Sequence, residues 1–208
     1  MEDVILPVEK RVSRELDLED AGLPLSLKKV FGNANPVELE IGIGKGYFLM
    51  NAALCNPDRN FLGIEIRRKY LNRARQRIEK RPIENIRLVC FEAFQFMEEF
   101  LPPQSLAVIH VYFPDPWPKK RHHKRRLFSQ EFLALAYRLL QPGGELLVAT
   151  DHRDYWDWIK SVMEAQDLLE PSPRLPEPVE GTEGLTNYEI KYQREGRPIY
   201  RAGYRKPG

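Results

Sequence analysis

The chain has 208 residues, 42% of them hydrophobic, and a formal net charge of only +2, which suits one domain with a full core. No stretch approaches the roughly 18 consecutive apolar residues that span a bilayer, and the arm at 1–20 carries Glu2, Asp3, Glu9 and Glu15 in place of an export signal. No membrane association is expected, and the expected location is cytoplasmic. Cys55 and Cys90 stand too far apart for a CxxC metal or redox motif and read as reduced thiols in the core.

Taken in order, 23–31 reads as a short helix or turn beneath a sheet, broken at 33–36. Residues 37–41 alternate apolar and acidic side chains. The turn Gly42-Ile43-Gly44-Lys45-Gly46 then opens onto an apolar run of helical length, giving strand, glycine turn, helix. A second strand at 61–66 precedes a helix at 67–81, whose Tyr70, Leu71, Ala74 and Ile78 share one face while the other is nearly all basic. A third strand at 86–89, a helix at 93–101 and a buried fourth strand at 106–112 follow. Ser129 caps a helix running to 140, Pro142-Gly143-Gly144 stops it, and 145–150 is a fifth strand ending before Asp151. An amphipathic helix at 152–166 and a proline- and acid-rich loop at 171–184 lead to 188–192 and 199–204, which read as a closing antiparallel pair. The expectation is one α/β domain over 1–208, with an N-terminal arm and short helix at 1–35 and the core at 36–208. Its mostly parallel seven-stranded sheet has helices on both faces and binds ligands beyond the carboxyl ends of its strands.

Four features fall at those ends. The glycine turn lets the backbone approach a ligand closely, with helix N–H groups facing it. Glu65 ends the second strand, where a dinucleotide-type fold places the acid that binds both ribose hydroxyls, so the pair indicates an adenosine-containing cofactor. Glu40, just ahead of the glycines, would repel a pyrophosphate but suits the ammonium and sulfonium of S-adenosylmethionine. Glu40-Ile41-Gly42-Ile43-Gly44-Lys45-Gly46 resembles the first motif of the class I S-adenosylmethionine-dependent methyltransferases, a Rossmann-like group. By the same likeness Glu92, after the third strand, is a candidate contact for adenine, although a solvated loop acid would look the same.

The fourth feature is the stretch at 112–127. Asp115 lies in a cage of Pro114, Pro116, Trp117 and Pro118, and Lys119, Lys120, Arg121, His122, His123, Lys124, Arg125 and Arg126 follow without an acid. The prolines hold the chain extended, and the cations suit phosphate. Adjacent histidines in an extended loop point apart and the neighbouring cations disfavour a dication, so no metal is expected. Basic residues 191, 194, 197, 201, 205 and 206, interleaved with Tyr188, Tyr192, Tyr200 and Tyr204, would extend the basic surface. Strand alternation would turn many of those tyrosines to the core, and Trp156 and Trp158 read as packing groups.

Tyr112 to His122 with Lys124-Arg125-Arg126-Leu127 is similar to the signature of the tRNA guanine-N7 methyltransferases, the TrmB family. Ala149-Thr150-Asp151 and Thr186-Asn187-Tyr188-Glu189 resemble that family's TD and TxYE motifs in the same order, and Phe91-Glu92 departs from its more usual Gly followed by Asp or Asn. The resemblance spans about 37–204. It implies methyl transfer from S-adenosylmethionine to N7 of a guanosine in the tRNA variable loop. It places Glu40, Gly42, Gly44, Gly46, Glu65, Glu92 and Asp115 at the cofactor, Asp115 also as the catalytic residue, and Lys119, Asp151, Thr186, Asn187, Tyr188 and Glu189 at the substrate. Lys120, Arg121, Lys124, Arg125 and Arg126 would contact tRNA phosphates, and a monomer and a homodimer both stay open. Two other classes compete: a nucleic-acid-binding protein on a decayed methyltransferase fold, against which the intact ExGxGxG, Glu65 and Asp115 argue, and an NAD-dependent oxidoreductase, for which no Tyr-x-x-x-Lys hydride-transfer pair appears.

Overall fold

The structure, a computed structural model, describes residues 14–18 and 22–208; the arm at 1–13 lies outside the described residues. Five strands are parallel: β1 (Val37–Ile41), β2 (Asn60–Ile64), β3 (Ile86–Val89), β4 (Leu106–Tyr112) and β5 (Leu140–Thr150). Beyond β5, β7 (Tyr200–Arg205) runs antiparallel to it and to β6 (Glu170–Ser172), giving the order β3-β2-β1-β4-β5-β7-β6. The chain winds outward from β1 to β3, returns, and winds the other way from β4. The reversal lies between β1 and β4, paired through Glu40↔His110 and Ile41↔Val111, so the crevice of such a sheet opens at the carboxyl ends of these two strands.

Alternation along β1 sorts the two faces. Val37, Leu39 and Ile41 join a core with α1 (Leu27–Phe31), α4 (Ala93–Phe100), α5 (Gln130–Leu139) and α6 (Arg153–Glu164). The opposite face packs on α2 (Tyr47–Cys55) and α3 (Arg68–Glu79) through Phe48, Leu49, Leu71, Ala74 and Ile78. Glu38 and Glu40 point to this second face and are both buried. Helix starts are fixed by side chains that accept otherwise unpaired N–H groups: Ser129 for α5, His152 for α6 and Thr186 for α7 (Asn187–Arg194).

Several expectations change. Residues 188–192 lie inside α7 and form no strand; the antiparallel pair is β6 with β7, and β6 begins just ahead of the proline-rich loop. Thr186 accepts from the N–H groups of Tyr188 and Glu189, which commits the segment to a helix. β5 begins at Leu140, with Pro142-Gly143-Gly144 absorbed as an irregularity where the register on β4 shifts between Leu106 and Val108. Lys120–Arg125 is a 3₁₀ helix and not extended chain; within it His122 packs edge-on against Trp117, and His123 faces Trp158. Cys55 is exposed and Cys90 half-buried, so neither is a core thiol.

Candidate active site

The glycine turn leaves β1 with Gly42 and Gly44 at φ 75° and 53°. A Cβ at either position would meet nothing within 4 Å, so their backbone faces open space. Gly46 differs: a Cβ there would lie 2.8 Å from the Cβ of Ala74, so this glycine serves the close approach of α2 to α3 and lines neither cavity of the site. Glu65 ties the turn to the end of β2, its Oε2 accepting from the Gly44 N–H and its Oε1 from the Arg67 N–H, each at 2.9 Å.

Glu40 is 3% exposed and its Oε2 has no hydrogen-bond partner. Burial, reinforced by the charge of Glu65 and opposed by a backbone hydrogen bond at Leu49, pushes its carboxyl up to about 8. A buried carboxylate oxygen without a donor is unfavourable unless something supplies one. A cationic group beside two exposed glycine backbones would do so, and the residues present therefore fit S-adenosylmethionine.

Opposite the glycine turn, β4 ends at Tyr112. The chain swings out through Phe113, held left-handed at φ 52° while its N–H donates to Ala149 O at 2.7 Å. Trp117 is also left-handed, at φ 44°. Two such residues flanking Asp115 store backbone strain at the mouth of the crevice. Asp115 itself is exposed, and Arg125 lies over the Trp117 ring at 5.0 Å. Across the crevice, Asp151 follows β5 and accepts from Arg197 at 3.1 Å.

These elements enclose a cleft of about 650 Å³ lined by Gly42, Gly44, Glu65, Glu92, Asp115, Lys124, Arg125, Asp151 and Tyr188. An adjoining cavity of about 240 Å³, lined by Glu40, Thr186, Asn187 and Tyr188, shares both open glycines with it. Sequence reasoning did not place Ile66, Tyr70 and Phe91 here, yet all three line the cleft, and Ile66 is 63% exposed. The available signal was an isoleucine placed directly after the acid at the end of β2, since an apolar side chain there gives a flat ring a wall.

Other assignments shift. Glu92 caps α4, accepting from Phe94 and Gln95 N–H at 3.1 and 2.8 Å, so its carboxylate is engaged by the helix start. Arg126 is turned inward from the basic run: on the cleft wall its side chain is 1% exposed, packed against Tyr155 and Trp158, donating to Pro116 O and pairing with Asp154, which argues against a phosphate contact. Glu189 is fully buried, accepting from Leu185 N–H at 2.5 Å and pairing with Arg201. Thr186 and Glu189 thus build α7, and Asn187 and Tyr188 are what α7 presents. Lys206 is spent inside the fold on Tyr137 O and Leu140 O. Tyr188 and Tyr192 stack at 6.1 Å on α7 and line the cleft rather than the core, while Trp156 packs on Tyr200. Lys119, Lys120 and Arg121 are exposed and outside the cleft lining.

A Rossmann-like sheet with an antiparallel last pair, an acid ahead of an open glycine turn and a second acid ending β2 defines a class I methyltransferase. Residues 34–202 match a family model described as "Putative methyltransferase". The chain is 39% identical over 195 residues to a tRNA (guanine-N(7)-)-methyltransferase of Geobacter metallireducens, covering 92% of each protein. It is 40% identical over 177 residues to one of Bordetella pertussis, covering 85% of this chain and 70% of that one. The chain belongs to the tRNA (guanine-N(7)-)-methyltransferase family. Solved structures agree on the fold: the 16S rRNA methyltransferase KamB superposes with a TM-score of 0.62 at 17% identity, over 88% of this chain and 93% of that one. The aminoglycoside resistance methyltransferase NpmB1 does so at 0.57 and 19%, over 86% and 91%.

Proposed function

We propose that the protein transfers the methyl group of S-adenosylmethionine to N7 of a guanosine in the variable loop of tRNA. The observation that carries the reading is Glu40, a buried carboxyl group with an unpartnered oxygen set against two glycine backbones that face open space. Glu65, lining the cleft beside the open glycine turn, suits ribose hydroxyls, and Ile66 and Phe91 suit an adenine ring. The bound cofactor supplies an electrophilic methyl on a sulfonium.

Guanine N7 attacks through a lone pair. With the cofactor bound, the N7–carbon bond would form as the sulfur–carbon bond breaks, positive charge would pass to the guanine ring, and no proton would leave N7. A general base is therefore unnecessary, and in-line positioning supplies the rate. Asp115 and Asp151 at the cleft fit carboxylates that stabilise the charge growing on the ring, with Asp115 set between the left-handed Phe113 and Trp117. A carboxylate also accepts from guanine N1–H and the exocyclic amine, which selects the base. Asn187 and Tyr188 face the cofactor cavity from α7, and Lys124 and Arg125 line the approach at the Asp115 end.

The test is incubation of the purified protein with labelled S-adenosylmethionine and unmodified tRNA, followed by nucleoside analysis. Label in 7-methylguanosine is expected; label in any other nucleoside overturns the substrate assignment. Asp115→Ala should abolish turnover and leave tRNA affinity nearly unchanged. A large loss of tRNA affinity would make Asp115 a binding residue.

A further inference from the structure

The outer face of α3 plays no part in the reading above. Arg73, Arg77, Lys80 and Arg81, with Lys45 of the glycine turn and Gln76, wall an open groove of about 640 Å³. It is lined by cations and no acid. Among the described residues these cations form no ion pair: the one acid of α3, Glu79, lies 4.0 Å from Arg75, and Arg68 pairs with Glu15. The Nη1 of Arg77 is shielded from water and has no hydrogen-bond partner.

A solvated helix face normally mixes signs. Here Arg73 and Arg77 lie four residues apart, about 6 Å per step along α3, a spacing that destabilises through like-charge repulsion, and Lys80 and Arg81 follow just past its last residue, Glu79. The same spacing is close to that of successive phosphates on one nucleic-acid strand. The groove also continues into the site, because Lys45 and Arg73 line the Glu40 cavity as well, and that cavity shares Gly44 and Tyr70 with the Asp115 cleft. Cations therefore reach the site from the glycine-turn end, while Lys124 and Arg125 stand at the Asp115 end.

We propose that this groove is a second phosphate-binding surface, which holds the backbone of the substrate RNA away from the methylated base. The assignment rests on the RNA substrate proposed above. Charge complementarity selects the occupant: a cluster of cations without ion pairs among the described residues, two of them at phosphate spacing, continuous with the reaction cleft, fits a polyanion that must also enter that cleft.

The experiment compares the full-length protein with Arg77→Gln/Arg81→Gln and with Lys80→Gln/Arg81→Gln, the latter pair at exposed positions. The salt dependence of the tRNA Kd, the steady-state constants and cofactor affinity are measured for each. Each double variant should reduce the slope of log K against log salt by about 1.8, the value for two lost duplex phosphates. KM for tRNA should rise while kcat at saturating tRNA and the cofactor Kd stay at wild-type values, and thermal stability should hold or increase as repulsion is relieved. An unchanged slope in both variants, with the wild type binding and methylating tRNA normally, overturns the second surface alone. Failure of the wild type to methylate tRNA overturns the underlying reading instead. Loss of binding to anionic phospholipid vesicles with an unchanged tRNA slope would assign the groove to a membrane and overturn the proposal.

Discussion

The carboxylate of Glu65 accepts the Gly44 N–H at 2.9 Å, so the acid that ends β2 holds in place the glycine turn that leaves β1. Its other oxygen accepts from Arg67 N–H. The carboxylate is thereby fixed by two backbone donors at the edge of the cleft. Two segments brought together only by sheet pairing become one rigid corner.

Glu65→Ala removes a charged acceptor and releases the turn. A hydrogen bond to a charged group contributes about 1.5–3 kcal/mol, so S-adenosylmethionine affinity should fall by about 10- to 150-fold. Isothermal titration reads this directly. tRNA affinity measured on the same variant should be unaffected, and a parallel loss of both would assign Glu65 to the fold at large.

Glu40 predicts a proton linkage. Its carboxyl titrates at about 8, so near neutrality the free protein holds a proton that a bound cation must displace. Cofactor binding should release a proton at pH 7, and affinity should climb by up to about tenfold per pH unit before levelling above pH 8. Calorimetry in two buffers of different ionisation heat measures the release. Identical heats in both would show that Glu40 is already charged, and Glu40→Gln should abolish any difference.

The strand, glycine turn and helix at the start of the core were legible because alternation and an apolar helical run flank three glycines spaced two apart. The Asp115 stretch was legible because three prolines and a tryptophan leave few conformations. What the sequence hid was decided at a distance. Residues 188–192 alternate over five positions, too few to separate the two periods, and the helix is settled by the Thr186 cap and by a buried Glu189 that pairs with Arg201 across the chain. Within the run at 119–126 every cation looks alike, yet only Arg126 meets Tyr155 and Trp158 from α6. The unpartnered oxygen of Glu40 became visible only once α2 closed over β1.

Arg126 and Lys124 should therefore behave differently although two residues apart. Arg126→Ala leaves Asp154 without its partner, empties the space between two aromatic rings and frees Pro116 O, so it should cost about 2–4 kcal/mol of stability. Lys124→Ala should leave stability within about 0.5 kcal/mol and reduce the salt slope of tRNA binding by about one. Urea denaturation and salt titrations of the two variants separate the roles, and a stable Arg126→Ala with a lowered slope would restore it to the RNA surface.

Glu38 gives the fold an acid limit. On the face of β1 turned to α2, its Oε2 lies 2.8 Å from His110 Nε2, its Oε1 bonds Arg59 at 2.5 Å, and His110 Nδ1 continues to Tyr112 Oη at 2.7 Å. Burial works to raise the carboxyl, but the His110 and Arg59 hydrogen bonds and charges outweigh it and hold it down at about 2, below its ordinary 4.5. A depressed carboxylate contributes stability that is fully present above the unfolded value and is lost as pH falls through the folded one. The wild type should therefore lose on the order of 3 kcal/mol between pH 4.5 and 2 from this group alone. Glu38→Gln should start less stable at pH 7 and show a flatter decline across that window, compared by urea midpoints at pH 5 and pH 3. Equal declines in the two proteins would move the acid sensitivity to other carboxylates and leave Glu38 as a packing group beside His110.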